Sequence, residues 1–399
     1  MILINSYLHR QTFYSVIKRW MYHRAHLHDA ELITRLVHFN NAYISRYLQR
    51  FTEMVFKNLF GQNLKTRFAI VKRDLKDIIV TNPPSHNSRI KELIDSYHMY
   101  PERYYRETPF HGTLYFQPTS NGDLYLGSDR IKRVRRLAEK CARRIIDHTF
   151  EAIKARADEL ATDRARQLGV TREALVSHPG EMLTEFLKAE DRLLDDLRNH
   201  KPVSFAEDLA INDVAGIKII MEDDDYCRVL ELFNQAPDCE VIEEEPHQGH
   251  YNAINLIIRH TPPKSEILAR PLGKPMLELI KRRGLDPEQA NREFANFVHT
   301  GEDQVNIEVI VCNYQEMLES EIGRCIHEDR IINQRLQQEY RGHLAKNIEY
   351  LMVYLFNFAV SPQIEIGELP IKLWNRYLPD YFDEVMRSLF EIPPLRLVD

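Results

Sequence analysis

The sequence has no long apolar run, few cysteines and no dominant sign of charge, and each shortage removes a class of protein. Its most apolar stretch, Tyr350 to Val360, falls short of the about 20 residues that a bilayer crossing needs, so it belongs in a core and no membrane span is expected. The opening MILINSYLHRQTFYSVIKRW meets His9-Arg10 before any apolar segment with a small-residue cleavage site, which argues against secretion. The five cysteines (Cys141, Cys227, Cys239, Cys312 and Cys325) form no CxxC pair, which removes the usual zinc and redox signatures and points to reduced thiols in a cytoplasmic protein. With 53 Lys and Arg against 59 Asp and Glu, net charge −6, there is neither a polybasic arm nor an acidic tail, and whole-chain electrostatics name no partner. No internal repeat and no low-complexity segment is present.

What is there is a chain of 399 residues, 44% apolar, long enough to bury a sizeable core. Residues 1–110 read as a helical accessory region, with Leu36, Ala42, Ile44, Tyr47, Leu48, Phe51, Met54, Val55 and Leu59 at near-helical spacing. Asn82 to Ser88, with two prolines, is a loop. Thr113–Gln117 and Asp123–Leu126 predict a hairpin turned at Asn121-Gly122. A long helix then starts near Arg130, with Gly127-Ser128 as its cap, and the helical pattern runs to about His200 with breaks at Gly169 and His178-Pro179-Gly180.

Strand signals follow at 216–220, 239–242, 253–258 and 305–311, with a helix at Tyr226–Phe233 between the first two. Pro262–Gln304 reads as helical, with Asp286-Pro287 as N-cap and first-turn proline. Helices continue from Tyr314 to about Phe358 and near Leu373–Leu389. Strands interleaved with helices predict an α+β fold, a mixed sheet flanked by helices. The core is expected over 111–330, with insertions at about 145–205 and 262–303, and 331–399 as a C-terminal helical region.

Four stretches carry chemistry. Arg130-Ile-Lys132 is followed by Lys140 eight residues on, a spacing that puts both lysines on one helix face, with Arg130 at a phosphate-binding N-terminus. Asp213 stands directly before the apolar strand Gly216–Ile220. Glu308 interrupts the apolar strand Val305–Val311, as a solvated position or a metal ligand would. Pro246-His-Gln-Gly-His250-Tyr251-Asn-Ala-Ile-Asn255 is a polar loop with an aromatic able to stack on a base.

In this order the four stretches resemble the synthetase domain of the RelA/SpoT family, (p)ppGpp synthetases or GTP pyrophosphokinases. Arg130, Lys132 and Lys140 keep the spacings of its ATP-side motif, and Asp213-Val-Ala-Gly-Ile-Lys218-Ile follows its metal-carboxylate strand with Lys for Arg. Asp225-Tyr-Cys-Arg-Val-Leu230 is similar to a helix start that follows. Pro246 to Asn255 resembles its guanine-side motif, and Glu321-Ile-Gly323-Arg-Cys-Ile-His327 its trailing Glu-x-Gly-x-x-x-His. The resemblance spans Thr113 to Arg330 and is interrupted by the two insertions.

It implies a nucleotidyltransferase-like core that moves the β,γ-pyrophosphate of ATP to the 3′-hydroxyl of GDP or GTP. On that implication Asp213 and Glu308 hold Mg²⁺, Glu308 also takes the proton of the attacking hydroxyl, Arg130, Lys132 and Lys140 hold ATP, and Tyr251, Asn255, His250 and His327 receive the acceptor. His247, His250 and Asn255 stand where the family has Lys, Gly and His, and Ile310 and Cys312 where it has Gln and Arg. These departures bear on the acceptor and on turnover, leaving an enzyme acting on the tRNA 3′ end or an adenine nucleotide, or a nucleotide-binding regulator without catalysis. His28-Asp29 invites comparison with the family's hydrolase motif but reads better as part of a histidine-rich helix face. The acidic runs Glu222–Asp225 and Glu243–Glu245 read as solvated strand ends.

Overall fold

The computed structural model describes residues 2–203, 209–249, 252–282, 286–336 and 340–393, without the side chains of Leu209 and His327. Its strands are β1 (Ile2–Ile4), β2 (Lys65–Val71), β3 (Pro109–Thr119), β4 (Gly122–Ile131), β5 (Leu209–Ile211), β6 (Ala215–Ile220), β7 (Cys239–His247), β8 (Ala253–His260) and β9 (Val305–Cys312). β1 and β5 pair in parallel, and the other seven form one open sheet in the order β2-β3-β4-β6-β9-β8-β7. Only β6 and β9 are parallel within it. The fold is α+β, with a mixed sheet flanked by helices.

β6 and β9 read as largely apolar runs, broken by Lys218 and by Asn306 and Glu308, because both faces of the sheet are covered. Ile217, Ile219, Val309 and Val311 join the large core made with the helices Asp29–Phe60 and His343–Phe358, while Ile220 and Cys312 join a second core with Leu75, Ile79, Leu93, Met317 and Ile322. The Asp29–Phe60 helix forms where the periodicity placed it. Its Tyr47, Phe51 and Phe56 are fully buried, each contributing about 1.5–3 kcal/mol by leaving water.

The β3–β4 hairpin turns through Ser120-Asn121, and Gly122 supplies the positive φ of +121°. Farther along, β4 departs from expectation: Gly127-Ser128 is not a cap, because the strand continues to Ile131 and the helix begins at Val134. Ser128 and Arg130 are paired on both sides, with Leu114 and Gly112 of β3 and with Lys218 and Gly216 of β6. Sheet bonds from chain segments distant in sequence outcompete a local cap. A bulge at Leu126 shifts the β3–β4 register, and Gly127 follows it at φ +148°, where a Cβ would lie 2.0 Å from the Lys218 carbonyl oxygen. Such bulges re-aim the residues after them, here Ser128 and Arg130.

The insertion is a helical pair, Val134–Gln167 and Pro179–Arg198, the second capped by the His178 imidazole, which accepts from Gly180 N at 3.1 Å. Asp286 caps Pro287–Thr300 through Glu288 N and Gln289 N. Glu243–Glu245 are not at a strand end but within β7, an edge strand, where exposed charge guards unpaired backbone. The region before residue 110 is more than helices: β1 pairs with β5, and β2 forms the other edge of the main sheet.

Candidate active site

Strand register sets the floor of the site. Arg130, Gly216, Glu308 and Ile257 are partners across β4, β6, β9 and β8, and two residues along Ser128, Lys218, Ile310 and Asn255 make a second row. Directly paired residues point to one face and alternate residues share it, so Arg130, Lys218, Glu308 and Asn255 occupy one face of the sheet. Gly216 is the gap between the two charges of the first row: a Cβ built on it would stand 3.5 Å from Glu308 Oε2. Glycine there leaves the carboxylate room beside β4.

Asp213 lies at the open end of these rows, in the turn between β5 and β6. The turn is fixed by Asn212, whose Oδ1 accepts from Asn5 Nδ2 at 2.7 Å and Asn306 Nδ2 at 3.1 Å, and by Val214, whose carbonyl accepts from Lys132 N at 2.7 Å. Asp213 Oδ2 accepts from both Lys132 Nζ and Lys140 Nζ at 2.5 Å. Its other oxygen, Oδ1, is buried and has no hydrogen-bond partner among the described residues. Lys132 and Lys140 thus converge on one acid, but not from one helix face as expected, because Lys132 precedes the helix that begins at Val134. Arg130 differs from expectation: it sits in β4 and not at a helix N-terminus, because strand pairing continues past it.

The charges perturb one another. Burial pushes Asp213 up, but Lys132 and Lys140 together outweigh it and hold the carboxyl well below the usual range. Burial likewise draws Lys132 down to about 8, against the pull of Asp213 and with the help of Lys140. Glu308 is raised, by burial first and then by the Asp213 charge, while Lys132, Arg130 and Lys140 act the other way. Asp213 and Glu308 thus share one electrostatic neighbourhood with three cations. Asp213 Oδ1, buried without a hydrogen-bond partner among the described residues, is an oxygen donor of the kind a hard divalent ion takes, and the Glu308 carboxylate lies in the same electrostatic field.

Several participants were not singled out from sequence. Arg133, Arg136 and Arg335 gather around Glu139, which bonds Arg136 and accepts from Arg335 at 2.8 Å. Lys218 lies 3.9 Å from Glu321 Oε1, and Glu321 is held by Lys72 Nζ at 2.5 and 2.8 Å, with Glu328 and Lys76 completing a buried charge network. This ties the trailing Glu321 motif to the face that carries Glu308. Between β7 and β8 Asn255 Nδ2 lies 2.9 Å from His247 Nε2, while Asn255 Oδ1 is buried without a partner among the described residues. Tyr251 and His250 lie outside the described residues, as does the His327 side chain. Asp29 of the His28-Asp29 pair is engaged by Trp20 Nε1 at 2.9 Å, His26 N at 3.0 Å and Arg19, a structural set.

The fold and site together define an α+β protein with two coupled carboxylates under a cationic rim. No protein family, no curated protein and no solved structure matches the chain. No helix among the described residues is long and apolar enough to cross a membrane.

Proposed function

We propose that the chain is a pyrophosphotransferase of the RelA/SpoT type, moving the β,γ-pyrophosphate of ATP to the 3′-hydroxyl of GDP or GTP in the cytoplasm. The observation that carries the reading is Asp213, gripped by Lys132 and Lys140 with one buried oxygen left over, in the same field as Glu308. Transfer of this kind depends on positioning and charge neutralisation more than on covalent help from the protein. Mg²⁺ held by Asp213 and Glu308 would supply part of that neutralisation on the donor phosphates.

Lys132, Lys140 and Arg130 orient the ATP phosphates, and Arg133, Arg136 and Arg335 extend the cationic rim. Glu308 accepts the proton of the 3′-hydroxyl, whose oxygen attacks the β-phosphorus as the bond from that phosphorus to the α,β-bridging oxygen breaks and AMP leaves. Its raised pKa favours that role, since a base nearer the working pH holds the proton better. Asn255 and His247, with Tyr251, His250 and His327, receive the acceptor base.

The test is thin-layer analysis of product from γ-labelled ATP with Mg²⁺ and separate acceptors. Labelled guanine nucleotide, lost in Glu308→Gln, supports the reading. Label on tRNA or an adenine nucleotide assigns a different acceptor to the same site, and saturable nucleotide binding with no product in the wild type overturns the enzymatic reading in favour of a regulator.

A further inference from the structure

A second group of donors lies on the other face of the sheet. Cys239 opens β7, His260 closes β8, and the two are register partners; Asp238 immediately precedes Cys239. The His260 row is that of Val305, and its side chain faces away from Glu308, since residues 256, 258 and 260 alternate with 257. The His260 ring packs against Phe51 of the Asp29–Phe60 helix, 5.1 Å between centroids, and is buried.

Three unlike ligands converge there. Cys239 Sγ lies 3.6 Å from His260 Nδ1, Asp238 Oδ2 lies 3.5 Å from the same nitrogen, and Asp238 Oδ1 lies 3.7 Å from Cys239 Sγ. A tetrahedral zinc ion, with bonds of about 2.3 Å to sulfur and 2.0–2.1 Å to nitrogen and oxygen, holds such donors about 3.4–3.6 Å apart. We propose that Asp238, Cys239 and His260 form a site for a zinc-class divalent ion, with a fourth position open to water on the side of the exposed Asp238. The proposal is independent of the pyrophosphotransferase reading, because no residue is shared.

The protonation of the donors pulls two ways, since burial and then the Asp238 charge push the Cys239 thiol up to about 12. Burial disfavours the charged imidazole of His260, and neutral imidazole is the ligand form. In the metal-free chain Nδ1 also lies 3.1 Å from the Asp238 carbonyl, to which it donates. On loading, that proton belongs on Nε2, and the Cys239 thiol proton leaves to solvent as the thiolate binds. The consequence is mechanical: the ion pins the end of the β7–β8 hairpin remote from the Pro246–Asn255 loop, against the long helix beneath it.

Cobalt titration of the full chain after chelator treatment tests this, because a cobalt–thiolate bond gives a charge-transfer band that oxygen and nitrogen ligands do not. The wild type is expected to show the band at one Co²⁺ per chain and to gain thermal stability with Zn²⁺. Cys239→Ser abolishes both, Asp238→Asn weakens binding at least tenfold, and Cys227→Ser, which removes an exposed thiol elsewhere, changes neither. Should Cys239→Ser fail to fold, the Asp238→Asn affinity decides. Absence of the band in folded wild type, its survival in Cys239→Ser, or unchanged affinity in Asp238→Asn overturns the site.

Discussion

Asp213 and Gly216 show how single residues set this site. Replacing Asp213 by Asn leaves Lys132 and Lys140 facing each other without an acid, and losing hydrogen bonds to charged groups costs about 1.5–3 kcal/mol. An unfolding free energy lower by about 1.5–3 kcal/mol for Asp213→Asn, from urea denaturation, is the expected outcome. Gly216 makes the complementary case. Its Cβ would meet only atoms at 3.4–3.6 Å, so Gly216→Ala folds with stability near wild type, whereas Gly216→Val crowds the Glu308 carboxylate. The expected result for Gly216→Val is a tenfold or greater loss of kcat, read alongside a melting curve that shows the fold intact. The role of Gly216 was hidden in the sequence, and Lys218 was visible there only as a lysine where the resembled motif has arginine. They acquire meaning only from register against Arg130, Glu308 and Asn255, which pairing between distant segments decides.

Among the elements, β4 does most to organise the site, because it carries Arg130 and leads into the helix that carries Lys140. Its bulge depends on Gly127, where any Cβ would run into the Lys218 carbonyl at a backbone angle that side chains avoid. Gly127→Ala is expected to destabilise by at least about 2 kcal/mol, measured by chemical denaturation. The elements that could be read in advance were those with local signals: the Asn121-Gly122 hairpin, the apolar runs of β6, β8 and β9, and the Asp286 cap. β2 escaped because Lys65–Val71 shows no apolar alternation and leaves Phe68 and Ile70 exposed at the sheet edge. The end of β4 was misread as a helix cap for a related reason, since its partner, Lys218, lies far along the chain. The spacing of Arg130, Lys132 and Lys140 and the isolated acids Asp213 and Glu308 were legible, whereas Arg335 joins them only through the folded path of the Ile326–Leu336 helix.

At the scale of the whole molecule, the buried charges Lys72, Lys76, Glu321 and Glu328 and the half-buried Lys218 form a network between segments distant in the chain. Burial raises Glu321, but Lys72 first and then Lys218 and Lys76 overturn that and depress its pKa. A depressed acid contributes stability that is present above its unfolded value, about 4.3, and is lost as pH falls through the folded one. Glu321→Gln is therefore expected to be less stable than wild type near neutral pH, with the difference shrinking below about pH 4, as followed by melting temperature against pH. The network also couples the helix of residues 72–79 to the strand face that carries Glu308, so this variant tests scaffold and site together.

The central claim is that Asp213 and Glu308 serve one divalent ion. Its most direct measurement is Mn²⁺ titration of the full chain by electron paramagnetic resonance, comparing wild type with Asp213→Asn, Glu308→Gln and the double variant. One site is expected, weakened at least tenfold by either substitution and at least as much by both, and untouched by Cys239→Ser. Wild-type affinity in either single variant would contradict that claim.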